Sequence, residues 1–317
     1  MKTILLTGGT GFLGRSLALK LKDGYRIILT GRNNLLNNAA KLMTGCEVVP
    51  MDITHIDAIR EVFELYKPDI VIHAAATKYV DLSELFPNEC IDINIRGSQN
   101  VVRAAIDKQI KLVIGISTDK ASPPSTGMYA KSKSIMEKLF LLMDGKGATN
   151  FFCLRFGNIA WSTGSVFPIW RQMLDEKGVI ESTGSHMRRF MFTIDEACQM
   201  VIDAIDNAGI LHGRILAKKM KYAYMLDVLE VFAALNHDAV FTKTGARTGE
   251  KVDEIMIGAP EVDYTSEETI NDNHYYLINY NQKSTSCIKD QVDTNTAERL
   301  TRDEIEKIIL HEAKGIL

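Results

Sequence analysis

The sequence predicts an α/β protein built on a doubly wound, parallel sheet with a smaller C-terminal cap. Three observations lead there. Apolar runs of strand length alternate with helical periodicity through the first half of the chain. Gly8, Gly11 and Gly14 recur three apart between the first run and the first helical stretch. From residue 161 onward the alternation loosens, as it would where a second, smaller layer begins.

Thr3–Thr7 is a short apolar strand, and TGGTGFLG carries it into a helix over Phe12–Lys22. The first two glycines let the backbone turn tightly and approach a pyrophosphate; the third lets the helix pack on the strand. The helix N-terminus then offers free N–H groups and a favourable dipole to the phosphates. This is a dinucleotide site of Rossmann type. Arg26–Thr30 is the second strand and ends Thr30-Gly31-Arg32-Asn33. A carboxylate for the ribose hydroxyls of NAD normally stands here; this chain has Thr30 and Arg32, which suit a 2′-phosphate. NADP is therefore expected ahead of NAD, with Arg32 as a plain surface residue the alternative.

Glu47–Met51 is the third strand, and Asp52 and Ile53 after it are placed to flank an adenine. Ile56–Tyr66 has helical spacing, ended by Lys67-Pro68-Asp69. Ile70–His73 is the fourth strand. The small residues Ala74, Ala75 and Ala76 beyond it let the backbone pass close beneath a cofactor, and His73 reads as a sheet residue. Asn88–Asp107 is expected as one long helix, with Asn94 closing a hydrogen-bond network beside the fifth strand, Lys111–Ile116.

The segment ISTDKASPPSTGMYAKSK, residues 116–133, follows. Thr118, Asp119 and Lys120 gather at a strand's carboxyl end, where open α/β sheets bind ligands. Pro123 and Pro124 hold the chain extended until Tyr129 opens a helix. Tyr129 and Lys133 lie one turn apart on one face, so the ammonium is expected to lower the phenol's pKa and make it a usable base. Such a spacing alone is weak; behind a dinucleotide fingerprint it acquires chemical meaning.

Asn150–Arg155 is a sixth strand, Trp161–Ser165 a loop, and Val166–Leu174 and Asp195–Asn207 are helical. Arg188 and Arg189 lie between those helices. Arg247, in the glycine-flanked turn GARTGEK, suits a phosphate clamp. For Arg189 and Arg247 alike, a surface ion pair is the alternative. Tyr264–Ile278 is acidic and aromatic without helical period, and Thr301–Ala313 is an amphipathic helix. The expected division is a dinucleotide-binding unit with the catalytic segment over 1–160, its core also taking in parts of 190–217. Residues 161–317 would be mostly a substrate-binding cap and a tail, with the substrate in the cleft between.

The chain has 317 residues, 46% hydrophobic and 24% charged, with net charge −3, which gives no footprint for nucleic acid or an anionic membrane. Cys46, Cys90, Cys153, Cys198 and Cys287 are odd in number and lack metal-ligand spacing, so they read as reduced thiols and no metal is expected. No apolar run reaches bilayer length, and Met1-Lys2-Thr3 leads straight into a strand. A soluble, cytoplasmic protein with no membrane partner is expected.

TGGTGFLG, HAAA, Asn94 and YAKSK together resemble the extended short-chain dehydrogenase/reductases. AATKYV, ISTDKA, LRFGNIAWSTGSVFP, MRRFMFT, GARTGEK and DTNTAERL narrow the likeness to the polysaccharide-biosynthesis branch, similar to the soluble inverting UDP-N-acetylglucosamine 4,6-dehydratases. The resemblance spans nearly the whole chain. It implies an enzyme that oxidises C4 of a nucleotide-diphosphate sugar, eliminates water across C5–C6 and returns hydride to C6, and it implies a homo-oligomer. A nucleotide-sugar epimerase or an NADP-dependent ketoreductase of the same fold is the alternative, and a non-catalytic NADP-binding protein of this fold a remote third. By the resemblance Gly8, Thr10, Gly11, Phe12 and Gly14 hold the cofactor, with Arg32, Asn33, Asp52, Ile53, Ala74, Ala75, Ala76 and Asn94. Thr118 bonds the sugar O4, Tyr129 takes its proton, and Lys133 holds the nicotinamide ribose. Lys120 takes the C5 proton while Asp119 protonates the leaving C6 hydroxyl. Lys78, Asn158, Ser165, Val166, Arg189, Arg247 and Glu250 grip the nucleotide sugar. The chain departs from the pattern at Arg188, where threonine is usual, and at Asp253, where histidine is common. The Pro123–Met128 stretch is also longer and lacks the usual asparagine before the tyrosine.

Overall fold

The computed structural model describes residues 1–245 and 251–311. The front half alternates as its apolar runs require: β1 (Thr3–Thr7), α1 (Phe12–Leu21), β2 (Arg26–Gly31), α2 (Asn34–Thr44), β3 (Glu47–Pro50), α3 (Ile56–Tyr66) and β4 (Ile70–His73). Next come α4 (Val80–Leu85) and α5 (Pro87–Cys90), then a π-helical turn over Ile91–Gly97 that runs into α6 (Ser98–Asp107). β5 (Leu112–Thr118), α7 (Met128–Met143) and β6 (Asn150–Phe156) complete the half.

The strands lie in the order β3-β2-β1-β4-β5-β6, all parallel. Both faces are covered by helices, so β1 and β4 are buried along their whole length and read as unbroken apolar runs. The order reverses between β1 and β4, and a crevice opens there beyond the carboxyl ends. Gly8, at φ +67°, stands in that crevice: a Cβ on it would lie 2.7 Å from Ala75 Cα. A Cβ on Gly14 would lie 2.4 Å from the Gly9 carbonyl oxygen, so α1 packs against the loop only without a side chain there.

Two local expectations change, and one unexpected helix is added. The helix expected over Asn88–Asp107 begins at Pro87 and is interrupted by the π turn, which centres on Asn94. β5 runs on through Ser117 and Thr118, which pair with Arg155 and Phe156 of β6. α2, which the apolar pattern does not announce, is set by its ends: the Asn33 side chain accepts from Leu35 N and Leu36 N, and Gly45 closes it at φ 70°.

The second half runs β7 (Asn158–Ile159), α8 (Val166–Lys177), β8 (Ile180–Thr183), β9 (Arg188–Phe192), α9 (Ile194–Asp206), α10 (Ala208–Leu211), β10 (Ile215–Lys218), β11 (Tyr222–Tyr224) and α11 (Met225–Leu235). Then follow β12 (Phe241–Thr244), β13 (Ile255–Ile257), β14 (Thr265–Ile270), β15 (Asn273–Ile278), β16 (Val292–Asp293) and α12 (Arg302–Leu310). β10 returns to the main sheet, parallel to β6. The tract without helical period is the hairpin β14–β15, turned by Asn271 and Asp272 at φ 49° and 62°, as a two-residue hairpin loop requires. β15 pairs antiparallel with β10, so the main sheet has nine strands among the described residues. Smaller sheets, β11-β9-β7, β12-β8 and β13-β16, build the other layer. Among the described residues no helix is long and apolar enough to cross a membrane.

Candidate active site

One cavity of about 1010 Å³ runs from the glycine loop to the small sheets. At its first end it is lined by Gly8, Thr10, Gly11, Phe12 and Gly14, and across the crevice by Asp52, Ile53 and Ala74 to Ala76. Asp52 accepts from the Thr54 amide and hydroxyl at 2.9 and 2.8 Å, which fixes the turn after β3. Arg32 lines the cavity and reaches Glu89 of α5 at 3.3 Å across an exposed gap. Asn33 lines it as well, but its amide oxygen is spent capping α2. Sequence reasoning missed Arg15, whose buried Nε makes no hydrogen bond among the described residues and which lines the same end. Its place one residue past the third glycine is a signal that could have found it.

Asn94 does not line the cavity. Its oxygen accepts from the Thr77 amide at 2.9 Å, and its nitrogen donates to Ser132 of α7 at 2.9 Å and to the Thr77 carbonyl at 3.1 Å. The expectation of a cofactor-binding residue is thus corrected: Asn94 braces the wall from behind and ties the alanine segment to α7. His73 is a sheet residue, between Thr7 at 2.7 Å and Ser98 at 3.0 Å, and burial holds its pKa down at about 3.

At the middle of the cavity β5 ends in Thr118, which caps a short turn over Asp119–Ala121. The Thr118 hydroxyl donates to Asp119 Oδ1 at 2.9 Å. Lys120 lines the cavity and stands between two carboxylates, 3.2 Å from Asp119 Oδ1 and 3.1 Å from Glu254 Oε1. Asp119 is buried behind it, outside the cavity wall, and its Oδ2 has no hydrogen-bond partner among the described residues. Burial opposes the charge on Lys120, but Asp119 and Glu254 outweigh it and raise its pKa. The lysine expected as a base is therefore an ammonium in this arrangement.

Tyr129 and Lys133 both line the cavity from the first turns of α7. Lys133 Nζ donates to the Ile116 carbonyl at 2.5 Å, and burial holds its pKa down at about 8. Burial pushes the Tyr129 phenol up to about 12, with the Lys120 charge working the other way. The expectation that Lys133 lowers this phenol is corrected: Lys133 turns to the strand carbonyl, and Lys120 is the opposing cation.

The far end is lined by Lys78, Asn158, Ser165, Val166, Arg189 and Glu254. Lys78 donates to the Thr163 carbonyl across the cleft. Asn158 donates to Phe190 O at 2.9 Å. Ser165 holds the N-cap position of α8 with its hydroxyl buried and without a partner among the described residues. Arg189 donates to Arg188 O at 2.8 Å and lies 3.6 Å from Glu254. Arg247 and Glu250 lie outside the described residues. The two departures at Arg188 and Asp253 are partners: Arg188 Nε and Nη2 reach Asp253 Oδ1 and Oδ2 at 2.5 and 2.8 Å. Glu254 was also missed, since no spacing links it to Lys120 134 positions earlier in the chain.

A family model described as polysaccharide biosynthesis protein matches residues 4–277. An inverting UDP-N-acetylglucosamine 4,6-dehydratase of Campylobacter jejuni is 32% identical over 287 residues, covering 87% of this chain and 82% of that protein. A UDP-glucose 4-epimerase of Rickettsia conorii is 28% identical over 337 residues, covering 98% and 95%. The X-ray structure of Pen from Bacillus thuringiensis superposes with a TM-score of 0.90 at 26% identity, covering 100% of this chain and 98% of that one. With the fingerprint, the doubly wound sheet and the Tyr129–Lys133 helix already in place, the chain belongs to the polysaccharide biosynthesis protein family, among the nucleotide-sugar dehydratases and epimerases of the extended short-chain dehydrogenase/reductase fold.

Proposed function

We propose that the protein is a nucleotide-sugar 4,6-dehydratase that uses NADP and acts on UDP-N-acetylglucosamine or a close relative. The observation that carries this reading is the charged group around Lys120, with Asp119 at 3.2 Å and Glu254 at 3.1 Å, on the cavity that Tyr129 also lines. A C4 epimerase needs a base at O4 and nothing at C5–C6; an elimination needs both an acid and a base there. The dehydratase relative at 32% identity supports the same choice over the epimerase relative at 28%.

The glycine cradle, the alanine segment and the buried Arg15 Nε, unpartnered among the described residues, fit a dinucleotide phosphate chain. Two guanidinium groups, Arg15 and Arg32, and no carboxylate at the tip of β2 favour the 2′-phosphate of NADP. Bound there, the nicotinamide supplies the hydride acceptor and donor. Tyr129, as the phenolate that the Lys120 charge favours against burial, takes the O4 proton, Thr118 hydrogen-bonds that oxygen, and Lys133 holds the ribose. Asn158, Ser165 and Arg189 orient the nucleotide diphosphate. Lys120 and its carboxylates move the protons at C5 and C6. Purified protein incubated with UDP-, GDP- and CDP-sugars should release a product lighter by one water, with no net consumption of NADPH. A product of unchanged mass, epimeric at C4, overturns the reading.

A further inference from the structure

We propose that Glu254 is the base that takes the C5 proton and that Lys120, as the ammonium, is the acid that protonates the departing C6 hydroxyl, with Asp119 a positioning residue behind them. The assignment rests on the dehydratase reading above and divides its acid and base differently from the family resemblance.

The geometry separates the two carboxylates that meet Lys120. Glu254 lines the cavity; Asp119 does not. Asp119 Oδ1 accepts from both Thr118 and Lys120, so that oxygen fixes the two side chains that face the sugar. Glu254 approaches Lys120 from the opposite layer, at 3.1 Å, with Arg189 3.6 Å from the same oxygen. Its backbone is held on both sides: Glu254 N donates to Thr294 Oγ1 at 3.1 Å, and Glu254 O accepts from Thr294 N at 3.0 Å. The residue before it, Asp253, is gripped by Arg188 through two bonds and by Thr294. The Glu254 carboxylate is thus delivered rigidly to the cavity wall although its side chain is only 5% exposed. A buried ion pair adds little stability over apolar packing, because desolvation offsets the attraction. Its retention at the wall of the cavity points to chemistry.

The resting charges agree with these roles. Asp119 at 3.2 Å and Glu254 at 3.1 Å favour the ammonium form of Lys120, the form that can give a proton. In the elimination the C5–H bond breaks, its electron pair becomes the C5–C6 π bond, and the C6–O bond breaks. Glu254 keeps the C5 proton; Lys120 gives its proton to the leaving oxygen, which departs as water. The proton Tyr129 took from O4 replaces the one Lys120 gave, and proton return to C5 restores the Glu254 carboxylate.

Exchange at C5 of the product tests this without a full turnover. The 4-keto-6-deoxy UDP-sugar, made with the wild-type protein, is returned to each holoenzyme in deuterium oxide and its mass gain followed. Wild type should place deuterium at C5. Glu254→Gln should slow that exchange about 10²-fold or more, the usual worth of a general base. Lys120→Arg keeps the cation but cannot trade protons near neutral pH. It should exchange C5 within about threefold of wild type while losing water elimination from the starting sugar. Exchange at the wild-type rate in Glu254→Gln, or its loss in Lys120→Arg, overturns the assignment. If Glu254→Gln does not fold, the Lys120→Arg result decides alone. A wild-type protein that removes water from no nucleotide sugar overturns the dehydratase reading itself, before any variant is compared.

Discussion

Replacing Arg155 by methionine should destabilise the protein more than any exposed charge change, and by a pH-dependent amount. Arg155 is fully buried on β6. Its guanidinium meets Glu137 of α7 at 2.8 and 3.1 Å, Glu261 at two contacts of 2.9 Å, and the Met256 carbonyl at 2.8 Å. Glu261 also accepts from Ser122, in the turn after Lys120, at 3.0 Å, and from the Tyr280 hydroxyl. Methionine fills much of the volume but leaves two buried carboxylates without their cation, a loss of about 3–5 kcal/mol. With a urea m-value of about 3 kcal/mol per M for a chain of this size, the midpoint should fall by about 1–1.7 M. The sign with pH follows from Glu261. Burial works against its charge, but Arg155 outweighs burial and holds it below the usual range. A carboxyl lowered in the folded state adds stability above its unfolded pKa, and that stability is lost as pH falls through the folded value. In the variant burial loses its largest opponent and hydrogen bonds such as those from Tyr280 and Gly258 are left to work against it, so Glu261 rises and acidification relieves the variant while it weakens the wild type. The difference should therefore be largest at neutral pH and shrink towards pH 4–5, roughly where free carboxyls titrate. Urea titrations followed by tryptophan fluorescence across that range provide the measurement. A loss below about 1 kcal/mol, the scale of a surface pair, or one that grows on acidification, refutes the reasoning.

Arg32→Ala should weaken NADP binding by about 1.5–3 kcal/mol, the worth of a charge-assisted contact, and leave NAD nearly unchanged; calorimetric titration of both cofactors checks it, and equal losses would show that Arg32 touches no 2′-phosphate. Arg188 and Asp253 should be coupled. Arg188→Thr and Asp253→His singly should each raise the sugar KM by misplacing Arg189 and Glu254, and a double-mutant cycle should return an interaction of about 0.5–3 kcal/mol. A strictly additive cycle would reduce the pair to two independent surface charges.

Much of the fold was legible because the front half states itself locally. β1 and β4 are unbroken apolar runs, and the glycine triplet marks the turn into α1. What the chain hides is what needs a distant partner. β10 joins the sheet through β6 and β15, and the β14–β15 hairpin belongs to the sheet edge for the same reason. α2 carried a readable cap at Asn33 and a readable stop at Gly45, but its apolar residues Leu35 and Leu36 are exposed, so no buried stripe announced it. In the site, Lys120 and Tyr129 were visible within one short window. Glu254 meets Lys120 from the opposite layer, and Asp253 meets Arg188 from 65 positions along the chain; no window spans either pair. Lys133 differs in kind: its spacing from Tyr129 was right, but the bond to the Ile116 carbonyl depends on how α7 lies across β5.

The hairpin at the edge of the main sheet also bears on how the molecule stays apart from its own copies. Ile215, Leu216 and Ala217 of β10 are buried, and their strand is closed only because β15 lies along it. β14 then becomes the outermost strand. Ile288 N donates to Thr265 O at 3.0 Å near its start, and the rest carries Glu267 and Glu268, with Lys219 held by Glu267 at 3.1 Å. Charges on a terminal strand discourage another chain from adding to it. A chain ending before Thr265 would offer the open backbone of β10 beside an apolar row, a template for strand addition between molecules. The hairpin, distant in sequence from the glycine loop, thus guards the sheet on which that loop depends against polymerisation.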